Sequence, residues 1–100
     1  MGELWRYFNN DYWIHFQKNV VSNELPKHMD FYNSIKADGL FEDDIYQALA
    51  SMSLLMFKSK IENYRSWLEK RIPALNNHTP KELGALPNGM NWIREYLIRL

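Results

Sequence analysis

Between Ile45 and Leu68, apolar residues return every three or four positions: Ile45, Leu49, Met52 and Met56, then Phe57, Ile61, Tyr64 and Leu68. That period is the apolar stripe of an α-helix, and no stretch of the chain sustains the alternation of a half-buried strand. The expectation is an all-α protein. The step from Met56 to Phe57 carries the stripe around the helix, so a break or bend is expected at Lys58-Ser59-Lys60. A chain of 100 residues, 46% hydrophobic and 15% aromatic, is too apolar for disorder and suits one small bundle of about 4–6 helices.

The four glycines and four prolines fall between helical patterns, where they punctuate the chain. A short helix is expected from about Asp30 to Ala37, closed by Asp38-Gly39, where glycine suits a left-handed C-terminal position. Phe41-Glu42-Asp43-Asp44 opens the next helix. Its three carboxylates complement the positive end of the helix dipole and lack the loop spacing of a calcium site. Ser22-Asn23-Glu24-Leu25-Pro26 reads as a connector. Met52, Met56 and Met90 read as core filler.

Residues 1–41 form an aromatic-rich helical segment expected to pack on the same domain as residues 42–100. Within it, Leu4/Trp5, Phe8, Tyr12 and Phe16 keep helical spacing, and Asn9-Asn10-Asp11 invites a break. Two readings stand side by side: a core helix, or an aromatic surface for a partner or a second copy of the chain. Residues 1–50 carry four Lys/Arg and eight Asp/Glu, a charge of −4, and residues 51–100 carry the reverse, +4. Such asymmetry fits either a charged partner or two faces of one domain that attract each other.

Trp67 to Leu83 concentrates stop and start signals. Lys70-Arg71 favour the C-terminal end of a helix dipole, and Pro73 biases Ile72 away from helix. Asn76-Asn77 tolerate left-handed backbone, and Ala74 and Leu75 are expected to tuck inward. Thr79-Pro80-Lys81-Glu82 combines a capping box with proline at the first helical position. A short helix is expected to follow this Pro73–Thr79 turn and to stop by Gly84-Ala85. Pro87-Asn88-Gly89 then opens a C-terminal amphipathic helix with Trp92, Ile93, Tyr96, Leu97 and Leu100 on its apolar face.

The signatures of several functions are missing from the sequence. No cysteine is present, which removes disulfides, thiol catalysis and thiolate metal sites. His15, His28 and His78 lack the close pairing of a helical zinc site, and no phosphate loop or nucleophile elbow occurs. No catalytic, metal or cofactor residue is assigned, and a non-enzyme is expected. No basic stripe interleaved with aromatics marks a nucleic-acid surface. With no membrane-length apolar run and no signal-peptide pattern, a cytoplasmic location is expected, with no membrane contact.

Trp67-Leu68, Pro73-Ala74-Leu75, Asn77, Thr79-Pro80-Lys81-Glu82-Leu83, Gly89 and Trp92-Ile93 with Leu97 stand in an order and spacing that resembles the toxin-binding domain of bacterial Xre/MbcA/ParS-type antitoxins. Phe57 and the helix from Glu42 resemble the lead-in to that domain, so the likeness covers about residues 42–100. In the likeness, Trp67, Leu68, Pro73, Leu75, Asn77, Thr79, Pro80, Glu82, Leu83 and Gly89 form the structural motif. Asn76-Asn77 replace turn glycines of the family, Gly84 stands where leucine is usual, and Leu86 stands where a small capping residue is usual, which leaves Asn88 as the cap. The family's chains often run a few residues past the position of Leu100, so plugging of the toxin's active site by such an extension is not expected here.

The resemblance implies a partner, a RES-type toxin from a family that uses NAD, neutralised by occlusion of its substrate cleft. Lys81, Asn91, Arg94 and Arg99 are the expected toxin contacts, on the exposed side of the last two helices; the alternative is a solvated helix face. The family's usual DNA-binding half has no counterpart in residues 1–41, so sequence-specific DNA binding by this chain is not expected. The competing function is a helical homo-oligomer joined through its aromatic N-terminus.

Overall fold

The computed structural model of the chain describes residues 9–100, and its architecture there is all-α. Leu4, Trp5, Tyr7 and Phe8 of the aromatic segment lie outside the described residues. Helix α1, Asn10–Phe16, starts where Asn9 accepts a 2.8 Å hydrogen bond from the Asp11 N–H. The asparagine run that suggested a break is therefore an N-cap. The chain continues through a π-helical stretch, Gln17–Val21, into α2, Ser22–Glu24. The expected connector at 22–26 is thus helical. Ser22 Oγ and Asn23 Nδ2 donate back to the carbonyls of Lys18 and Asn19, and Pro26 opens a 3₁₀ turn, Leu25–His28, where its missing N–H leaves nothing unpaired.

Helix α3, Met29–Ile35, runs into a 3₁₀ turn, Lys36–Asp38, and ends at Gly39 with φ +69°, as the Asp38-Gly39 pair suggested. Helix α4, Asp43–Ser51, carries Asp43 and Asp44 in its first turn. The chain bends at Met52 into α5, Ser53–Phe57. The expected break follows, made by two non-glycine residues in left-handed backbone, Lys58 (φ 54°) and Ser59 (φ 56°). Helix α6, Ile61–Leu68, then turns the second half of the stripe inward, with Tyr64, Trp67 and Leu68 buried.

After α6, Ile72 is extended and pairs with His78 in an isolated antiparallel bridge, and no strand occurs among the described residues. Asn76 and Asn77 take φ 57° and 61°, which lets the Asn77 N–H return a 3.0 Å bond to the Ile72 carbonyl. Leu75 is fully buried, but Ala74 is exposed; the second inward place belongs to Ile72, which the bridge turns into the core. Helix α7, Pro80–Ala85, opens on a complete capping box: Glu82 N–H donates to Thr79 Oγ1 at 3.0 Å and Thr79 N–H to Glu82 Oε1 at 2.8 Å. Thr79→Ala removes that cap, and a loss of about 1 kcal/mol is expected in urea unfolding. An unchanged midpoint would contradict the role of the box.

Helix α8, Gly89–Ile98, is entered through Asn88 at φ 62°. Asn88 occupies the cap position but makes no side-chain cap bond; its left-handed backbone makes the corner. Ile93 and Leu97 are buried, Trp92 and Tyr96 half-buried, and Leu100 is exposed. One core joins the halves of the chain: Trp13, Val21 and Ile35 lie in the same cluster as Leu49, Phe57, Trp67, Leu83 and Ile93. Met52 is buried in it, and Met56 and Met90 pack on its edge. On α1 the face is rotated from the expected stripe, since Trp13 is buried at 3% exposure while Tyr12 is 67% exposed.

Candidate functional site

Arg94 on α8 is the hub of a polar cluster. Its Nε and Nη2 each reach Asp44 at 2.9 Å, in a bidentate pair; Nη2 also pairs with Glu42, and Nη1 donates to Asn91 Oδ1 at 2.9 Å. Asp44 accepts a further bond, 2.8 Å, from the Trp13 indole N–H, and the guanidinium carbon sits 5.9 Å from the centre of the Trp13 ring. This explains why Trp13 rather than Tyr12 turns inward: the indole has both an acceptor and an aromatic neighbour, Phe16, at 5.4 Å. One basic residue of the second half thus closes on two acidic residues of the first. Burial raises the Asp44 carboxyl, but the hydrogen bond and charge of Arg94, with help from Trp13, outweigh it and hold the group below its ordinary 3.8.

A carboxyl lowered by folding stabilises the protein above its unfolded-state pKa, and that stabilisation is lost as pH falls through the folded value. Stability should therefore decline as pH drops below 3.8, the ordinary value of this group. Urea unfolding across that acidic range should show a shallower pH slope for Asp44→Asn. Identical slopes would contradict the assignment.

Of the four polar and cationic residues expected as toxin contacts, Arg94 and Asn91 are engaged within the fold, and Lys81 and Arg99 are exposed. The Arg94 side chain is only 12% exposed and is held inward by Glu42 and Asp44. Asn91 serves Arg94. Lys81 reaches Glu69 at 3.3 Å, and Arg99 pairs with Glu95, which is 4% exposed. Lys81 and Arg99 remain open to solvent on separate partners; Arg94 and Asn91 belong to the joint between α8 and the start of α4. Arg94 reads as exposed in the sequence because its acidic partners lie 50 and 52 residues away.

The structural motif does converge. Trp67 packs edge-on to Phe57 at 5.5 Å and lies 6.1 Å from Tyr64, while Leu68, Leu75, Thr79, Pro80 and Leu83 are buried around the turn and Pro73, Asn77 and Glu82 face outward. Gly84 and Gly89 mark close approaches. A Cβ at Gly84 would stand 2.8 Å from the Leu40 carbonyl oxygen, which accounts for glycine at that position, and one at Gly89 would stand 1.8 Å from the Leu83 carbonyl oxygen. Asp38, after α3, holds a second network. It accepts from the hydroxyls of Tyr46 and Tyr64, and Tyr46 in turn accepts the N–H groups of Leu40 and Phe41. Burial together with Asp38 pushes Tyr46 up to about 12 and raises Tyr64 as well, so both phenols stay neutral donors. The network closes the Gly39 corner. Among the described residues no His/Asp/Glu group has metal-site geometry.

An apolar surface not anticipated from the sequence lies on α5. Leu54 and Leu55 are 67% and 76% exposed, and Leu100 beside them is 57% exposed. The inner face of the same helix holds Phe57 and Ser53, and the Ser53 hydroxyl is buried without a hydrogen-bond partner among the described residues. The helix is therefore inverted at this point, with serine inside and two leucines outside. The signal was present in the sequence: Leu54 and Leu55 fall between Met52 and Met56, off the 3–4 stripe.

No family model, curated protein or solved structure matches the chain.

Proposed function

We propose that the protein is a non-enzymatic protein-binding module that acts in the bacterial cytoplasm, an antitoxin-like protein that neutralises a RES-type toxin by covering its active site. The observation that supports a binding module is the inverted helix α5. Fully burying one leucine contributes about 1.5–3 kcal/mol. A fold that leaves Leu54, Leu55 and Leu100 in solvent while enclosing Ser53 forgoes that stabilisation at three neighbouring positions. Contiguous exposed apolar surface of this kind marks interaction sites. The toxin class rests on the resemblance of Trp67 to Leu97 to the antitoxin domain.

The test is co-expression of the tagged full chain with the product of its adjacent gene. The expected result is a RES-type protein recovered in fixed ratio. Recovery of the folded chain alone would overturn the antitoxin reading. The homo-oligomer reading draws on Tyr12 and Ile14, 67% and 40% exposed on α1. A solution mass equal to one chain at high concentration would count against it.

A further inference from the structure

We propose that the partner docks on the α5 end of the domain and presents an amphipathic segment whose apolar side chains are flanked by carboxylates. Two open grooves meet there. The first, 770 Å³, is lined by Phe16, Val20, Leu54, Leu55 and Leu97 among its apolar residues. The second, 520 Å³, is floored by Met56, Trp67 and Tyr96. Leu55 and Leu100 line both, so the two form one apolar surface. The volumes match those of small-molecule sites, but the grooves are open along their length, which suits a row of side chains laid in from outside.

The charges around the surface select the occupant. Lys58 lines the first groove, and Lys70 and Arg71 line the second. Lys58 and Lys70 make no ion pair among the described residues, and Arg71 reaches Glu82 only at 3.4 Å from an exposed position. Among the described lining residues Glu24 has the one carboxylate side chain, and it is already engaged with Lys27 at 3.4 Å. An incoming segment with carboxylates beside its apolar anchors answers the free lysines. A second copy docked across a two-fold axis would bring an identical basic set to the surface that holds Lys58, Lys70 and Arg71, with only Glu24 among the described lining side chains to answer it. An anionic lipid surface would meet the carboxylate of Glu24, which lines the first groove.

The probe is a synthetic amphipathic helix of about 18 residues with a leucine stripe flanked by glutamates, compared with the same stripe flanked by lysines. Titration into the isotope-labelled full chain should shift the amides of Leu54, Leu55, Lys70 and Leu100, with the glutamate probe binding at least about tenfold tighter. The double variant Leu54→Ser, Leu55→Ser should lose that binding while keeping its circular dichroism, because both side chains face solvent. Lys70→Glu should reduce the preference for the glutamate probe. Equal affinity for both probes, no saturable binding, or shifts on another face would overturn the proposal. So would self-association that the double variant abolishes, or binding to phosphatidylserine vesicles in place of the probe.

The proposal rests on the protein-binding reading, and the two fail differently. A RES-type protein that co-purifies equally with the wild type and with the double variant overturns this surface and leaves that reading standing. Binding of the glutamate probe at α5 without any RES-type partner supports this surface and removes the toxin.

Discussion

Gly89→Ala should unfold the domain or leave it barely stable. Gly89 is buried at the first turn of α8, and its Cα faces the backbone of α7 so closely that an added Cβ lies 1.8 Å from the Leu83 carbonyl oxygen and 2.7 Å from its carbonyl carbon. No side-chain rotation relieves contact with a backbone atom. One helix must move off the other, and both are fixed: α7 by its capping box and by Leu83, 1% exposed, and α8 by Ile93 and Leu97. Overpacking that displaces backbone costs about 1–3 kcal/mol in ordinary cores. A clash this close belongs beyond that range, at about 4 kcal/mol or more, a large part of the stability of a small domain. Gly39 provides the internal control. It has φ +69° but no heavy atom within 4 Å of an added Cβ, so Gly39→Ala should cost only the left-handed strain, about 1 kcal/mol. Thermal unfolding of the two variants side by side checks the ranking, and equal losses would contradict it.

Trp67→Ala should cost about 3–5 kcal/mol. The indole is 8% exposed and has Phe41, Phe57 and Tyr64 as ring neighbours, with centroids at 6.5, 5.5 and 6.1 Å. Truncation removes all three contacts and opens a cavity at the junction of α5, α6 and the turn. The indole N–H, however, is buried with no acceptor among the described residues. Such a donor destabilises its own fold, so its removal returns some free energy. Trp67→Phe keeps an aromatic ring and discards the unpaired donor, and its loss should stay below about 1.5 kcal/mol. Urea midpoints for the two variants separate packing from polarity. A phenylalanine as damaging as alanine would mean that the N–H has a partner.

The turn was readable from the sequence because its causes are local. Thr79 and Glu82 are three residues apart and satisfy each other's backbone, Asn76 and Asn77 accept left-handed angles on their own chemistry, and Gly39 closes α3 for the same reason. The break at Lys58-Ser59 was visible as a shift in the apolar stripe, although nothing in those two residues favours positive φ. What escaped local reading depends on distant partners. Arg94 turns inward for Asp44 and Glu42, and Trp13 is buried because Asp44 accepts its indole. Ala74 yields its inward place to Ile72 because a bridge to His78 rotates the chain. The apolar surface at Leu54 and Leu55 was missed for a different reason: leucine in a helical pattern reads as core unless its phase is tracked residue by residue.

On the proposed account the docking face lies at α5 and not on the last two helices. Arg94 and Asn91 are spent on holding α8 to the start of α4, and Lys81 and Arg99 pair separately with Glu69 and Glu95. The α5 end carries the exposed Leu54 and Leu55, and Lys58 and Lys70 in the two groove linings make no ion pair among the described residues. Trp67, packed on Phe57 of α5 and Tyr64 of α6, helps fix where those helices meet and lines the second groove.

The most direct test of the proposed function is NAD consumption by a RES-type protein encoded beside it, measured while the chain is titrated in. The account predicts that consumption falls to background as the chain reaches a fixed molar ratio, and that Leu54→Ser, Leu55→Ser shifts the required concentration upward by at least about tenfold. Consumption unchanged by an excess of the folded chain would contradict it.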